Sequence, residues 1–287
     1  MSAAREPAVP MTPEEVERGY NNRAAVPEHP AWFARFAAAS SEAVAALAPR
    51  RDVRFGRGPK ETLDLFLPAG TPRGTLAFIH GGYWRSLDKA EHAFVAPAFV
   101  GQGLAVANIN YDLCPSVTVA EIVAQATRAI ALLARDRARL GLAGPLVVAG
   151  HSAGGHLAAM AVATPAAAFG TDAHPVKGAL SLSGVHDLTP LVLASMNADL
   201  RLDVDAARAV SPALLPPATA APVAIVVGAG ETGEFLRQSD LLWDAWPTNR
   251  PAGLAAPLRV PDRHHFNVVM DYLDPESALT RATLALF

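Results

Sequence analysis

Apolar residues recur along this chain in two alternating rhythms. Short runs such as "GTLAFIHGG" (74–82), "GLAVANINYDL" (103–113) and "PLVVAG" (145–150) are dense in Val, Ile, Leu and Ala and bounded by glycine or proline, as buried strands are. "GALSLSG" (178–184), "APVAIVVGAG" (221–230) and "APLRVP" (256–261) repeat the pattern, and "ETLDLFLPA" (61–69) alternates as an antiparallel strand at the edge of the sheet would. Between them lie segments with helical spacing: "AWFARFAAASSEAVAALA" (31–48), a stretch around 88–100, "VAEIVAQATRAIALLARDRARL" (119–140), the run after Ser152, and stretches near 233–246 and 275–286. Strand and helix in alternation predict an α/β fold, a mostly parallel sheet with helices on both faces and functional residues at the carboxyl ends of the strands. The connection 188–220 is longer than usual and reads as a small lid or pocket wall within a single domain spanning 1–287.

One serine stands out in that frame. "GHSAGGHLA" puts Ser152 in a Gly-x-Ser-x-Gly pattern between a predicted strand and a predicted helix, the context of a nucleophile elbow. A tight reversal tolerates only small neighbours and exposes the hydroxyl at the positive end of a helix. The alternative reading is a serine that caps a helix between packing glycines. The "HGGYW" segment after the strand 74–82 favours the elbow, because glycines there let backbone N–H groups reach a developing oxyanion. On this reading the N–H groups of Gly82, Tyr83 and Ala153 form the oxyanion hole, and His80 orients the loop.

A serine nucleophile needs a base, and the base needs an acid. With the order Ser, acid, His expected for this fold, the last two strand ends supply Glu231 and the pair His264 and His265. Only one of two adjacent histidines faces a pocket readily. His151 and His156 flank the serine and pack or line the pocket; His29 and His92 fall in or near surface helices, His174 and His186 in loops. No His, Cys and carboxylate spacing resembles a metal site. Cys114 lacks a glycine elbow and reads as structural.

Composition narrows the partners. With 287 residues, 51% of them hydrophobic, the chain can bury a large core, and its net charge of −3 gives no basic footprint for nucleic acid or acidic membrane surfaces. The N-terminal "MSAAREPAVPMTPEEVERGY" carries early charges and prolines, unlike a secretory signal, and no apolar span is long enough for a transmembrane helix. One cysteine fits a reducing compartment. The expectation is a cytoplasmic protein acting on a small molecule. A homodimer is compatible with the sequence, which carries no signal for or against it.

"HGGYW", "GHSAGGHLA", "GETGEFLRQS" and "HHF", with the N-terminal "YNNRAAVPEHPAWFARF" and "LDLFLP", together resemble the α/β-hydrolase family and, within it, the kynurenine formamidase (arylformamidase)-like esterases. The resemblance runs from about Tyr20 to the C-terminus. It implies Ser152 as nucleophile and, since the family histidine precedes a phenylalanine, His265 before Phe266 as base. The family acid is an aspartate three residues before a Glu-Phe pair; this chain has Glu231 there, so a longer arm must be accommodated or the role passes to Glu234 or Asp262. The implied reaction is removal of a formyl group from an aryl formamide through an acyl-enzyme, with no cofactor, and with Tyr83 and Trp84 as walls for the aromatic leaving group. A short-chain carboxylesterase uses the same residues, and a non-catalytic binding protein on the same scaffold is a third reading. Fold and catalytic set alone do not fix substrate.

Overall fold

The computed structural model describes residues 11–287. The expectation about a secretory signal therefore falls partly on residues outside those described. Eight strands form one sheet: β1 (Arg50–Arg54), β2 (Thr62–Phe66), β3 (Thr75–Ile79), β4 (Ala105–Ile109), β5 (Leu146–His151), β6 (Val176–Leu182), β7 (Val223–Gly228) and β8 (Leu258–Val260). Their order is β1-β2-β4-β3-β5-β6-β7-β8. β2 runs antiparallel to β1 and β4, and every other pairing is parallel.

The antiparallel strand 61–69 is present as β2, but it is not the edge. That place belongs to β1, whose sequence RRDVR is mostly charged and exposed. An edge strand gains solubility from charge and needs no apolar rhythm, so periodicity alone does not find it.

Alternation along β3 sorts the core into two layers. Ala77 and Ile79 face one cluster, with Ile122 and Ile130 of the helix Val119–Arg135 and Phe235 and Leu242 of the helix Gly233–Ala245. Leu76 and Phe78 face the other, with Phe36 of the helix His29–Leu47 and Leu279 of the helix Ala278–Leu284. Helices thus cover both faces, as a parallel sheet requires. The stretch 88–100 is two single 3₁₀ turns leading into the short helix Ala96–Val100 rather than one continuous helix. Segment 188–220 contains only short helical turns between β6 and β7.

The chain leaves β3 to form β4 on one side and returns to place β5 on the other. Strand order reverses there, and such a switch point opens a crevice at the carboxyl ends of the strands. The loop after β3 and the turn after β5 meet in that crevice. Among the described residues, no helix is long and apolar enough to cross a membrane.

Candidate active site

Ser152 joins β5 to the helix Ala153–Ala163 in a strained backbone conformation, φ 57° and ψ −118°. A non-glycine residue pays for positive φ, and the surroundings hold it there. Its N–H donates to the Leu182 carbonyl at 2.8 Å, and its carbonyl accepts the His156 N–H at 3.0 Å. The flanking glycines are steric necessities. A Cβ on Gly150 would collide with the Gly154 carbonyl, and one on Gly154 with the carbonyls of Ile79 and His80. Gly154→Ala is therefore expected to destabilise the fold by about 3 kcal/mol, the upper range for overpacking, read as a lower urea midpoint.

Ser152 Oγ–H donates to His265 Nε2 at 3.0 Å, and His265 Nδ1–H donates to Glu231 Oε2 at 2.7 Å. All three residues are buried. The longer glutamate arm is accommodated by folding its second oxygen back onto the sheet. Oε1 accepts the Gly228 N–H at 2.9 Å and the Ser183 hydroxyl. The reserve acids are elsewhere. Glu234 accepts from Tyr20 Oη and Arg237, and Asp262 is exposed in the turn after β8.

The neighbouring histidines have distinct places. His264 turns away, its ring against Trp32 and its Nδ1 accepting the Phe266 and Asn267 N–H groups. His151 Nε2–H donates to the His265 carbonyl at 2.8 Å, tying the His265 backbone to the turn after β5. Burial holds His151 well below the usual histidine range, so it is neutral, and its Nδ1 has no partner. His92 and His186 are fully buried, which their loop and helix-end positions did not suggest. Burial also pushes the Cys114 thiol up to about 11, which makes a poor nucleophile.

The loop after β3 lies against the elbow. A Cβ on Gly81 would sit 2.9 Å from the His151 carbonyl and 3.0 Å from Ser152 Cβ. The Gly81 carbonyl accepts from His80 Nδ1 and Tyr111 Oη, and the Gly82 carbonyl accepts the Arg85 and Ser86 N–H groups. Because a trans peptide directs N–H and C=O oppositely, tying down these two carbonyls turns the N–H groups of Gly82 and Tyr83 the other way. Gly82 has φ 109° and Tyr83 φ 49°; the first suits glycine alone. His80 thus bonds within this loop through Nδ1, and its other nitrogen meets Asn110 Oδ1 at 3.0 Å.

A cavity with roughly 650 Å³ of empty space, its open mouth included, reaches Ser152, His265, Gly82 and Tyr83. Trp84 is not among its walls, contrary to expectation. It is fully buried, and its indole N–H donates to His156 Nδ1 at 3.2 Å, beneath the loop rather than above it. Phe33 and Phe36 line the cavity instead, with Met196 from segment 188–220 and Asn22 and Arg23 from the N-terminal segment. Sequence reading missed these. The signals were the "YNNRAAVPEHPAWFARF" and "GEFLRQS" segments, because Gln238 and Glu234 both bond Tyr20 Oη and Tyr83 Oη–H donates to the Tyr20 carbonyl. Those bonds latch the N-terminal helices across the site.

Known proteins share this sequence family and fold. Residues 63–244 match the BD-FAE family. The chain is 30% identical over 243 residues to a kynurenine formamidase of Salmo salar, covering 82% of this chain and 81% of that protein. It is 29% identical over 244 residues to the kynurenine formamidase of Danio rerio, covering 82% and 80%. A solved candidate thioesterase from Silicibacter sp. tm1040 superposes with a TM-score of 0.83 at 33% identity, covering 94% of this chain and 99% of that one. An esterase of Pyrobaculum calidifontis shares the fold, with a TM-score of 0.67 at 19% identity over 88% and 90% of the two chains. The chain belongs to the BD-FAE family of α/β-hydrolases, together with the kynurenine formamidases it matches over four-fifths of its length.

Proposed function

We propose that the chain removes a small acyl group, formyl above all, from an aryl amine, with N-formylkynurenine as the representative substrate, and that Ser152, His265 and Glu231 carry the reaction. The observation behind this reading is the continuous hydrogen-bonded chain from Ser152 through His265 to Glu231, at the base of a cavity, in a relative of the kynurenine formamidases.

Ser152 Oγ attacks the formyl carbon as its proton passes to His265 Nε2. The N–H groups of Gly82, Tyr83 and Ala153 hold the resulting oxyanion. Collapse breaks the C–N bond, and the aryl amine leaves with the proton from His265. Water, deprotonated by the same nitrogen, attacks the formyl-serine ester and releases formate. Glu231 keeps the proton on Nδ1, so that Nε2 presents its lone pair to Ser152, and faces the imidazolium with negative charge. No cofactor enters these steps. Residues 1–287 act as one catalytic domain, with 188–220 as a wall of the pocket. A single cysteine, which leaves no intrachain disulfide to form, suits a cytoplasmic setting.

Glu231→Gln is expected to lower kcat by about 10³–10⁴, because the amide can favour the wrong imidazole tautomer. Glu231→Asp keeps the charge but gives up either the Gly228 N–H or the reach to Nδ1, so its activity should lie between wild type and Gln. Glu234→Gln and Asp262→Asn serve as controls. A larger loss in either control would move the acid role away from Glu231.

A broader esterase or thioesterase is the second reading, favoured by the 33% identical candidate thioesterase. Steady-state kinetics with N-formylkynurenine, p-nitrophenyl acetate and a short acyl thioester decide between them. The formamide should lead in kcat/KM by more than about tenfold, a margin that a few well-placed contacts supply. A lead for either other substrate would overturn the formamidase assignment.

A further inference from the structure

The cavity above Ser152 holds polar groups that the acyl-transfer steps leave unused. Asn22, in the short helix Asn22–Ala25, is 3% exposed, and its Nδ2 has no hydrogen-bond partner although it lines the cavity. A buried donor without an acceptor costs free energy unless something else supplies one. The next residue, Arg23, also lines the cavity. Its guanidinium has no carboxylate within ion-pair distance among the described residues. It makes a 3.3 Å hydrogen bond to Ser86 Oγ and lies 5.7 Å from the Phe33 ring centre. Arg85, the other arginine of the cavity, is already neutralised by Asp199 at 2.6 Å.

These groups lie a defined way from the chemistry. Ser86 Oγ–H donates at 3.0 Å to the Gly82 carbonyl, so Arg23 is two hydrogen bonds from the loop that turns its N–H groups toward the oxyanion. Phe33 and Tyr83 add aromatic rings to the same cavity. A ligand that fills this space therefore meets aromatic rings and, at Arg23 and Asn22, donors that suit an anionic group. Glu17 also lines the cavity, with its carboxylate held by Ser195 and Asn21, and a second, positive group on the ligand would suit it.

We propose that Asn22 and Arg23 form a subsite for the carboxylate of an amino-acid head carried by the aromatic leaving half of the substrate. This rests on the formamidase reading for the identity of the leaving half, but the subsite can be tested without formamide turnover. Guanidinium and amide donors together match a carboxylate by charge-assisted hydrogen bonding.

The probe is kynurenine itself, used as a competitive inhibitor of p-nitrophenyl acetate hydrolysis, with 2-aminoacetophenone as the analogue that lacks the amino-acid head. Arg23→Gln should raise the Ki of kynurenine by about three- to tenfold, as expected for a charged hydrogen bond from an exposed side chain, and leave that of 2-aminoacetophenone unchanged. Asn22→Leu keeps the volume while removing the donor. It should weaken kynurenine in the same selective way without lowering Tm, whereas a purely structural asparagine would cost stability. Equal changes for both inhibitors, or no change for kynurenine in either variant, would overturn the subsite. Failure of wild-type enzyme to turn over N-formylkynurenine, with kynurenine still bound through Arg23, would instead overturn the formamidase reading alone.

Discussion

Ser152→Ala is expected to lower kcat by about 10⁵–10⁶ while the protein folds normally, since members of a nucleophile–base unit fail together when one is removed. The hydroxyl makes one bond that matters, to His265 Nε2 at 3.0 Å. Alanine gives up that bond and the covalent chemistry, yet fits the same turn, because the Ser152 main-chain bonds to Leu182 and His156 do not involve the side chain. Circular dichroism and thermal melting of the variant should match wild type to within the small effect of one lost hydrogen bond. Substantial residual turnover in a correctly folded variant would place the nucleophile elsewhere.

The two adjacent histidines give the second large effect and its internal control. His265→Ala should reduce kcat by about 10⁵-fold, because it removes both proton transfers and leaves Oε2 of the buried Glu231 without its imidazole partner. His264→Ala should lose less than about tenfold, since His264 works only through local packing with Trp32 and the turn to Asn267, outside the reacting chain. Rate measurements on both variants, with Tm as a check on folding, read the ranking directly. If His264→Ala proves the more damaging, the base has been misassigned.

Much of the fold was legible because a buried parallel strand must be apolar along its whole length, and seven of the strands carry that signature or alternate cleanly. β1 escaped because charge, not hydrophobicity, suits an edge. The 88–100 segment escaped in detail because its helical spacing is compatible with successive 3₁₀ turns. At the site, the elbow and the glycine loop are local devices, so short motifs contain them. Glu231 was harder, because what accommodates its extra methylene is Ser183 at the end of β6 and the Gly228 N–H at the end of β7. Trp84 was misread for a related reason. Its sequence position adjoins the glycine loop after β3, but a positive φ of 56° turns the side chain into the core toward His156. Asn22 and Arg23 are brought to the cavity by contacts distant in sequence, Tyr20 with Glu234 and Gln238 and Gly19 with Thr232 among them, which no local pattern reveals.

Active-site titration with a fluorophosphonate identifies the nucleophile and counts it. Enzyme is modified in graded steps, N-formylkynurenine hydrolysis is followed against label incorporated, and the adduct is mapped by peptide mass spectrometry. Activity should fall in proportion and vanish at one label per chain, with the label on Ser152 and with His265→Ala labelling far more slowly. Label on another residue, or N-formylkynurenine hydrolysis that survives complete modification of Ser152, would contradict Ser152 as the nucleophile.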